Sequence, residues 1–214
     1  MPASRQQPDL LTRLRDGAGI LGVELTEDES ERLLRFIWLL LKWNRAYNLT
    51  ALDDPMVMVE RHLLDSLSVL PYLQGKRILD MGTGPGLPGI PLALMRPQWN
   101  FILLDSNNKK IRFVRQAMLE LALDNVQPVH ARVEQYQPDQ PFDTLIARAF
   151  TDLPRMLALT RELLVPHGIL LAMKGKLPQS ELAQLPADRT VRIIPLQVPF
   201  CAGERHLIEI RHKR

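Results

Sequence analysis

From Asp9 to about Leu70 apolar positions recur at helical spacing, and no stretch alternates as a strand would. Leu10, Leu11 and Leu14 mark a first helix, kept short by Gly17, Gly19 and Gly22, because glycine costs a helix backbone entropy. Thr26, followed three residues on by Glu29, has the form of a capping box with Thr26 as N-cap. The helix it opens sets Leu33, Leu34, Ile37, Trp38, Leu40 and Leu41 on a broad apolar face and closes through Trp43 to Asn48. Asp54-Pro55 starts another helix, through Met58, Leu63, Leu64, Leu67 and Leu70, which stops before Pro71. Within it Arg61 and Asp65 stand four apart, a pair that supports a helix modestly.

At Lys76 the pattern changes to short apolar strands alternating with helices. Strands are expected over Arg77–Asp80, Asn100–Asp105, Val126–Ala131, Phe142–Ala147 and Ile169–Lys174, with helices over roughly Leu87–Arg96, Asn107–Leu123 and Asp152–Val165. Such alternation predicts a parallel sheet covered by helices on both faces. Thr190–Val198 and His206–Arg211 are joined by a segment too short for a crossover helix, so they are expected to pair antiparallel. The chain thus divides into a helical extension, 1–75, and an α/β domain, 76–214. The domain's sheet has seven strands, mostly parallel, and ends in an antiparallel hairpin.

The first strand runs into Asp80-Met81-Gly82-Thr83-Gly84-Pro85-Gly86-Leu87-Pro88-Gly89. Glycines there supply backbone angles closed to other residues and let a ligand approach where a Cβ would block it. A helix beginning near Leu87, with Pro88 in its first turn, would present unpaired N–H groups to that ligand. Gly84 to Gly89 fits the dinucleotide pattern G-x-G-x-x-G, whereas the fuller Asp80-x-Gly82-x-Gly84-x-Gly86 looks like the first motif of AdoMet-dependent methyltransferases. Both readings want an acidic residue about 20 positions on to bond ribose hydroxyls, and Asp105 supplies it at the tip of the second strand. The terminal hairpin favours AdoMet, since a dinucleotide dehydrogenase should complete a second βαβαβ half. An NAD-linked oxidoreductase stays open as the alternative.

Composition adds bounds. The 214 residues suffice for one α/β domain with an appendage, and the longest apolar run, Phe36 to Leu41, is far too short to span a membrane. The opening residues, Met1 to Gln7, have no apolar signal core, and the lone Cys201 excludes an internal disulfide or a thiolate metal site. A cytoplasmic protein with no membrane association, acting as a monomer, is expected. Net charge of +3 permits a nucleic-acid partner without demanding one.

Ligands of open α/β sheets lie beyond the carboxyl ends of the strands. The candidates there are Gly82, Gly84, Gly86 and Leu87, then Asp105, then Val133 and Glu134 toward the adenine, then Arg148, then Lys174. A charge such as Arg148 at the end of a buried strand is rarely incidental. Absences narrow the chemistry. No Asn- or Asp-Pro-Pro-aromatic run follows the fourth strand, as it commonly does in amino-group methyltransferases. Cys201 lies in the late hairpin, away from where a covalent nucleophile would act, and no cluster suggests a metal. What remains is transfer to an atom with a free lone pair. Lys109 and Lys110, with Arg112 and Arg115, open the helix after Asp105, and with Lys174, Arg205 and the tail Arg211 to Arg214 could form a phosphate-binding rim. Trp43 and Tyr47 could stack on bases, though their helical spacing suits a core better.

Lys42-Trp43-Asn44 through Thr50, Arg61-His62-Leu63-Leu64-Asp65-Ser66, the turn from Asp80 to Leu92 and Pro199 to His206 together resemble the bacterial small-subunit ribosomal RNA methyltransferase G family, once called glucose-inhibited division protein B. The resemblance runs from about Leu25 to Ile210. It implies a Rossmann-like methyltransferase fold and methylation of N7 of guanine 527 in 16S rRNA, within the small ribosomal subunit, with S-adenosyl-L-methionine as donor. It also implies cofactor contacts at Gly82, Leu87, Val133, Glu134 and Arg148. A small-molecule methyltransferase and a non-catalytic RNA-binding protein remain as rival readings.

Overall fold

The computed structural model describes residues 7–213. Met1 to Gln6, most of the opening stretch without a signal core, and Arg214, the last residue of the basic tail, lie outside the described residues. Two long helices come first, α1 (Gln7–Ile20) and α2 (Glu27–Tyr47). The capping box forms: the Glu29 N–H donates to Thr26 Oγ1, and the Thr26 N–H donates to the Glu29 carboxylate. Asp54 caps the next helix, α3 (Pro55–Met58), which passes into a π-helical turn over Val59–Leu64 and a last turn, α4 (Asp65–Leu67).

The sheet has seven strands: β1 (Arg77–Met81), β2 (Asn100–Asp105), β3 (Val126–His130), β4 (Phe142–Arg148), β5 (Leu164–Lys174), β6 (Arg189–Pro195) and β7 (His206–His212). Their order is β3-β2-β1-β4-β5-β7-β6. β7 inserts between β5 and β6 and is antiparallel to both, while the pairings of β1 to β5 are parallel. Connecting helices are α5 (Gly89–Met95), α6 (Asn108–Glu120), α7 (Leu153–Thr160) and α8 (Gln179–Leu182).

Several boundaries depart from expectation: the helix expected to run through Leu70 ends at Leu67, α6 ends at Glu120 rather than Leu123, and β6 ends at Pro195 rather than Val198. α5 starts at Gly89 rather than near Leu87. α7 ends at Thr160, short of Val165, and β5 begins at Leu164, five residues before the expected Ile169. Pro166, His167 and Gly168 interrupt the apolar run there, so periodicity misses the strand's first half.

Alternate strand residues face opposite cores, as the period of two requires. Ile78, Phe101, Leu103, Ile146 and Leu171 face one side, where they join Leu14, Leu33, Ile37, Leu63 and Leu64 of the N-terminal helices in a single cluster. Leu79, Ile102, Leu104, Leu145 and Leu170 face the other, against Leu153 and Met156 of α7. The helical extension therefore shares a core with the sheet. Trp43 and Tyr47 serve that core: their rings stand 5.2 Å apart, and Trp43 meets Phe113 edge-on at 5.7 Å.

Candidate functional site

A cleft of about 430 Å³ opens beyond the carboxyl ends of β1 to β4, a volume in the range of small-molecule sites. Gly82, Leu104, Asp105, Ser106 and Lys110 line it, with Ala131 to Glu134, Ala149 to Thr151, Arg155 and Leu159. Expected residues from three strand ends thus meet in one place: Gly82 after β1, Asp105 at the end of β2, and Val133 with Glu134 after β3, whereas Arg148 of β4 is not among the lining residues.

The glycine turn is built differently from the expectation of free N–H groups. Residues 83–89 are buried, and their donors bond within the protein. Thr83 N–H donates to Leu104 O, Gly84 N–H to Asp105 Oδ2, Gly86 and Leu87 N–H to Thr83 O, and Gly89 N–H to Asp80 Oδ2. A buried amide without a partner is costly, so an enclosed turn must satisfy its own donors. Leu87 is likewise a core side chain, 2% exposed. The glycines divide by role. A Cβ at Gly86 would strike Ile90, and one at Gly89 would strike Leu103 and Asp80, so these two permit close packing. At Gly82 it would come within 2.6 Å of the Phe150 ring. At Gly84 it would meet nothing within 4 Å, although φ is +59°. Gly84 alone among them keeps space open for something other than this chain.

Two carboxylates hold the turn. Asp105 is buried; its Oδ2 accepts from Gly84 N–H at 2.9 Å and its Oδ1 from Asn107 N–H at 2.8 Å. Asp80 has no exposed surface; its Oδ2 accepts from Thr83 Oγ1 at 2.6 Å and Gly89 N–H at 2.8 Å. Its Oδ1 has no partner among the described residues. Burial lifts this carboxyl from 3.8 to about 6, against the pull of the two hydrogen bonds and of the Arg148 charge. A buried acceptor beside a glycine turn with open space at Gly84 fits a ligand that brings a donor, such as the ammonium of S-adenosyl-L-methionine.

Arg148 ends β4 but is not free. Its Nη1 donates to Asp65 Oδ2 at 3.1 Å and to Arg61 O at 3.2 Å, and Asp65 Oδ1 pairs with Arg205 Nε at 3.3 Å. The expected Arg61–Asp65 pair does not form. The π turn shifts the register to i,i+5, as the Asp65 N–H donating to Glu60 O records, so Asp65 turns inward while Arg61 stays exposed. Lys174, expected at RNA phosphate, donates to Glu181 at 2.8 Å and to Thr151 O at 2.9 Å. Its partner comes from α8, a helix the sequence pattern does not reveal. Lys110 lines the cleft and Lys109 is exposed at the start of α6. Glu134 pairs with Arg155 at 3.5 Å on the cleft rim.

His62 donates to or accepts from Thr50 Oγ1 at 2.9 Å, and burial followed by the Arg148 charge pushes it down to about 4. It is neutral in neutral solution. Burial, with the nearby Asp65, raises the Cys201 thiol. Among the described residues no group of three or more His, Cys, Asp or Glu is placed to hold a metal ion. Among the described residues no helix is long and apolar enough to cross a membrane.

The sheet order, the glycine turn and the acidic tip of β2 define a Rossmann-like AdoMet-dependent methyltransferase fold. Among solved structures, a SAM-dependent methyltransferase from Aquifex aeolicus matches with a TM-score of 0.59 at 19% identity, covering 76% of this chain and 96% of that one. The chain belongs to the rRNA small subunit methyltransferase G family, whose model matches residues 29–208. A relative from Methylococcus capsulatus named ribosomal RNA small subunit methyltransferase G is 52% identical over 198 residues, 92% of this chain and 97% of its own. One of the same name from Pseudomonas syringae pv. tomato is 49% identical over 205 residues, 95% and 97% of the two chains. Family membership selects the AdoMet reading over the NAD-linked one.

Proposed function

We propose that this enzyme transfers the methyl group of S-adenosyl-L-methionine to N7 of guanine 527 in 16S rRNA, within the small ribosomal subunit. Family membership supports the substrate, and the titratable groups in the cleft and near its glycine turn support the acceptor atom. Guanine N7 carries an in-plane lone pair and no proton, so its attack needs no general base. The groups at hand suit that chemistry. Asp80 Oδ2 is committed to Thr83 and Gly89, Asp105 to two backbone amides and Glu134 to Arg155, and His62 is neutral and bonded to Thr50. S-adenosyl-L-methionine supplies an electrophilic methyl on a sulfonium, and the protein's task is alignment.

In this reading Asp80 accepts from the cosubstrate ammonium and Asp105 from the ribose hydroxyls. Gly82, Gly84 and Gly86 give the turn its path, Leu87 anchors it in the core, and Val133 and Glu134 border the adenine. Arg148 positions the cosubstrate carboxylate or the target base. Lys109 and Lys110 reach RNA phosphate at the rim, whereas Lys174 is held by Glu181 and Thr151 O. With a net charge of only +3, the monomer neutralises few phosphates, so the structured subunit rather than naked RNA is the efficient substrate.

The test is mass mapping of methylated nucleosides in 16S rRNA from cells with and without the gene. A 7-methylguanosine lost on deletion and restored by the wild-type chain is expected. An unchanged methylation map would refute the assignment.

A further inference from the structure

Asp65 sits where three separate parts of the chain converge on the end of β4. It is 5% exposed, and its two carboxylate oxygens serve different partners: Oδ2 takes Nη1 of Arg148 at 3.1 Å, and Oδ1 takes Nε of Arg205 at 3.3 Å. Arg148 belongs to β4 and Arg205 to the connection before β7, while Asp65 comes from the helical extension. The π turn makes this possible by rotating Asp65 off the Arg61 face and into the core. It also directs Arg61 O to the same Nη1 at 3.2 Å.

Two features suggest more than structural support. Buried ion pairs are weak sources of stability, because desolvation offsets most of the attraction. The contacts on Arg148 are also one-sided: both use Nη1, and nothing among the described residues bonds its Nε or Nη2. A guanidinium held by one nitrogen has its plane restricted and its remaining donors available. One carboxylate between two guanidiniums leaves the cluster a net positive charge beside the Asp80 turn, where the Arg148 charge acts on Asp80.

We propose that Asp65 is a positioning residue. It holds Arg148 by Nη1 so that Nε and Nη2 are available to the carboxylate of the cosubstrate, and it ties the connection before β7 to the same point through Arg205. The proposal rests on the reading of Arg148 as a cosubstrate contact. It gives the helical extension a part in the site, because the extension supplies the residue that sets the arginine.

Calorimetric titration of the full-length protein with S-adenosylhomocysteine tests this, with a melting temperature recorded for each variant. Asp65→Asn should weaken binding about tenfold or more, as loss of one charge-assisted contact does. Arg148→Ala should weaken it comparably. The double variant should bind no more than about threefold more weakly than Arg148→Ala alone, because Asp65 acts through Arg148. Asp65→Glu keeps the charge, and with it the fold, but displaces the carboxylate, and should fall between wild type and Asp65→Asn. Losses that multiply in the double variant would mark a purely structural role and overturn the proposal. So would wild-type affinity in Asp65→Asn or Asp65→Glu. Wild-type protein that binds no S-adenosylhomocysteine would overturn the methyltransferase reading itself, and this inference with it.

Discussion

Replacing Asp80 with asparagine should leave the unliganded protein at least as stable at neutral pH while removing its affinity for S-adenosyl-L-methionine. The shift of this carboxyl from 3.8 to about 6 has burial as its largest cause. At about 1.4 kcal/mol per pH unit, the charge costs the fold about 3 kcal/mol above pH 6. Asparagine has the same shape and offers its oxygen to Thr83 and Gly89 without that charge. Its NH2 group takes the place of Oδ1, where no acceptor waits, at a penalty of about 1–3 kcal/mol. The two effects leave Asp80→Asn about 0–2 kcal/mol more stable than wild type at pH 7.5.

The pH dependence is the sharper signature. Asp80 has its pKa raised on folding, so the native state holds the proton longer; its penalty is absent below 3.8 and complete above 6. His62 acts the other way: its pKa falls from 6.5 to about 4, so the unfolded chain protonates first and stability drops as pH falls through that window. In wild type the two oppose each other between about pH 4 and 6. Asp80→Asn leaves His62 unopposed and should lose stability more steeply on acidification. Urea unfolding from pH 7.5 to 4.5 should show the mutant's advantage shrinking by about 2 kcal/mol. A pH-independent difference, or calorimetry showing wild-type affinity for S-adenosylhomocysteine, would refute this account of Asp80.

Asp105→Ala should weaken cosubstrate binding, by about 1.5–3 kcal/mol for each charge-assisted hydrogen bond lost; wild-type affinity in a folded mutant would assign this carboxylate to the turn alone. Gly84→Val should abolish binding while costing the fold only the left-handed strain, about 1–3 kcal/mol, since its Cβ meets nothing within 4 Å. Near-normal binding by that variant would mean the open side of the turn faces no ligand. The single-turnover methylation rate should be flat from roughly pH 7 to 8.5, and Cys201→Ser should keep most of it, because burial holds that thiol protonated. A tenfold rise per pH unit, or a folded but inactive Cys201→Ser enzyme, would require a deprotonated nucleophile and exclude guanine N7 as acceptor.

What the sequence revealed and what it concealed divide along a physical line. Thr26 and Glu29 are three residues apart, and the β2 apolar run is bounded by Asn100 and Asp105, so local spacing suffices to place the capping box and the strand. The residues gathered at the cleft were legible for another reason. The rule that ligands bind beyond strand carboxyl ends needs only the strand order of a parallel sheet, not side-chain geometry. Partnerships were not legible. Arg148 and Asp65 are 83 positions apart, and their contact depends on a π turn that no periodicity distinguishes from an α turn. Lys174 looked like a free cation because its neighbour, Glu181, belongs to a helix of four residues. The glycine turn shows the same limit. Its composition allows either open amides waiting for a ligand or a closed loop bonded to itself, and burial decides between them. Once residues 83–89 are enclosed, every amide needs an acceptor within reach, and Asp80 and Asp105 are the side chains that supply it. The buried side-chain atom left without a partner at the turn is then a carboxylate oxygen, Asp80 Oδ1, and it is on this acceptor, rather than on the donors a helix start would offer, that the proposed recognition of the ammonium rests.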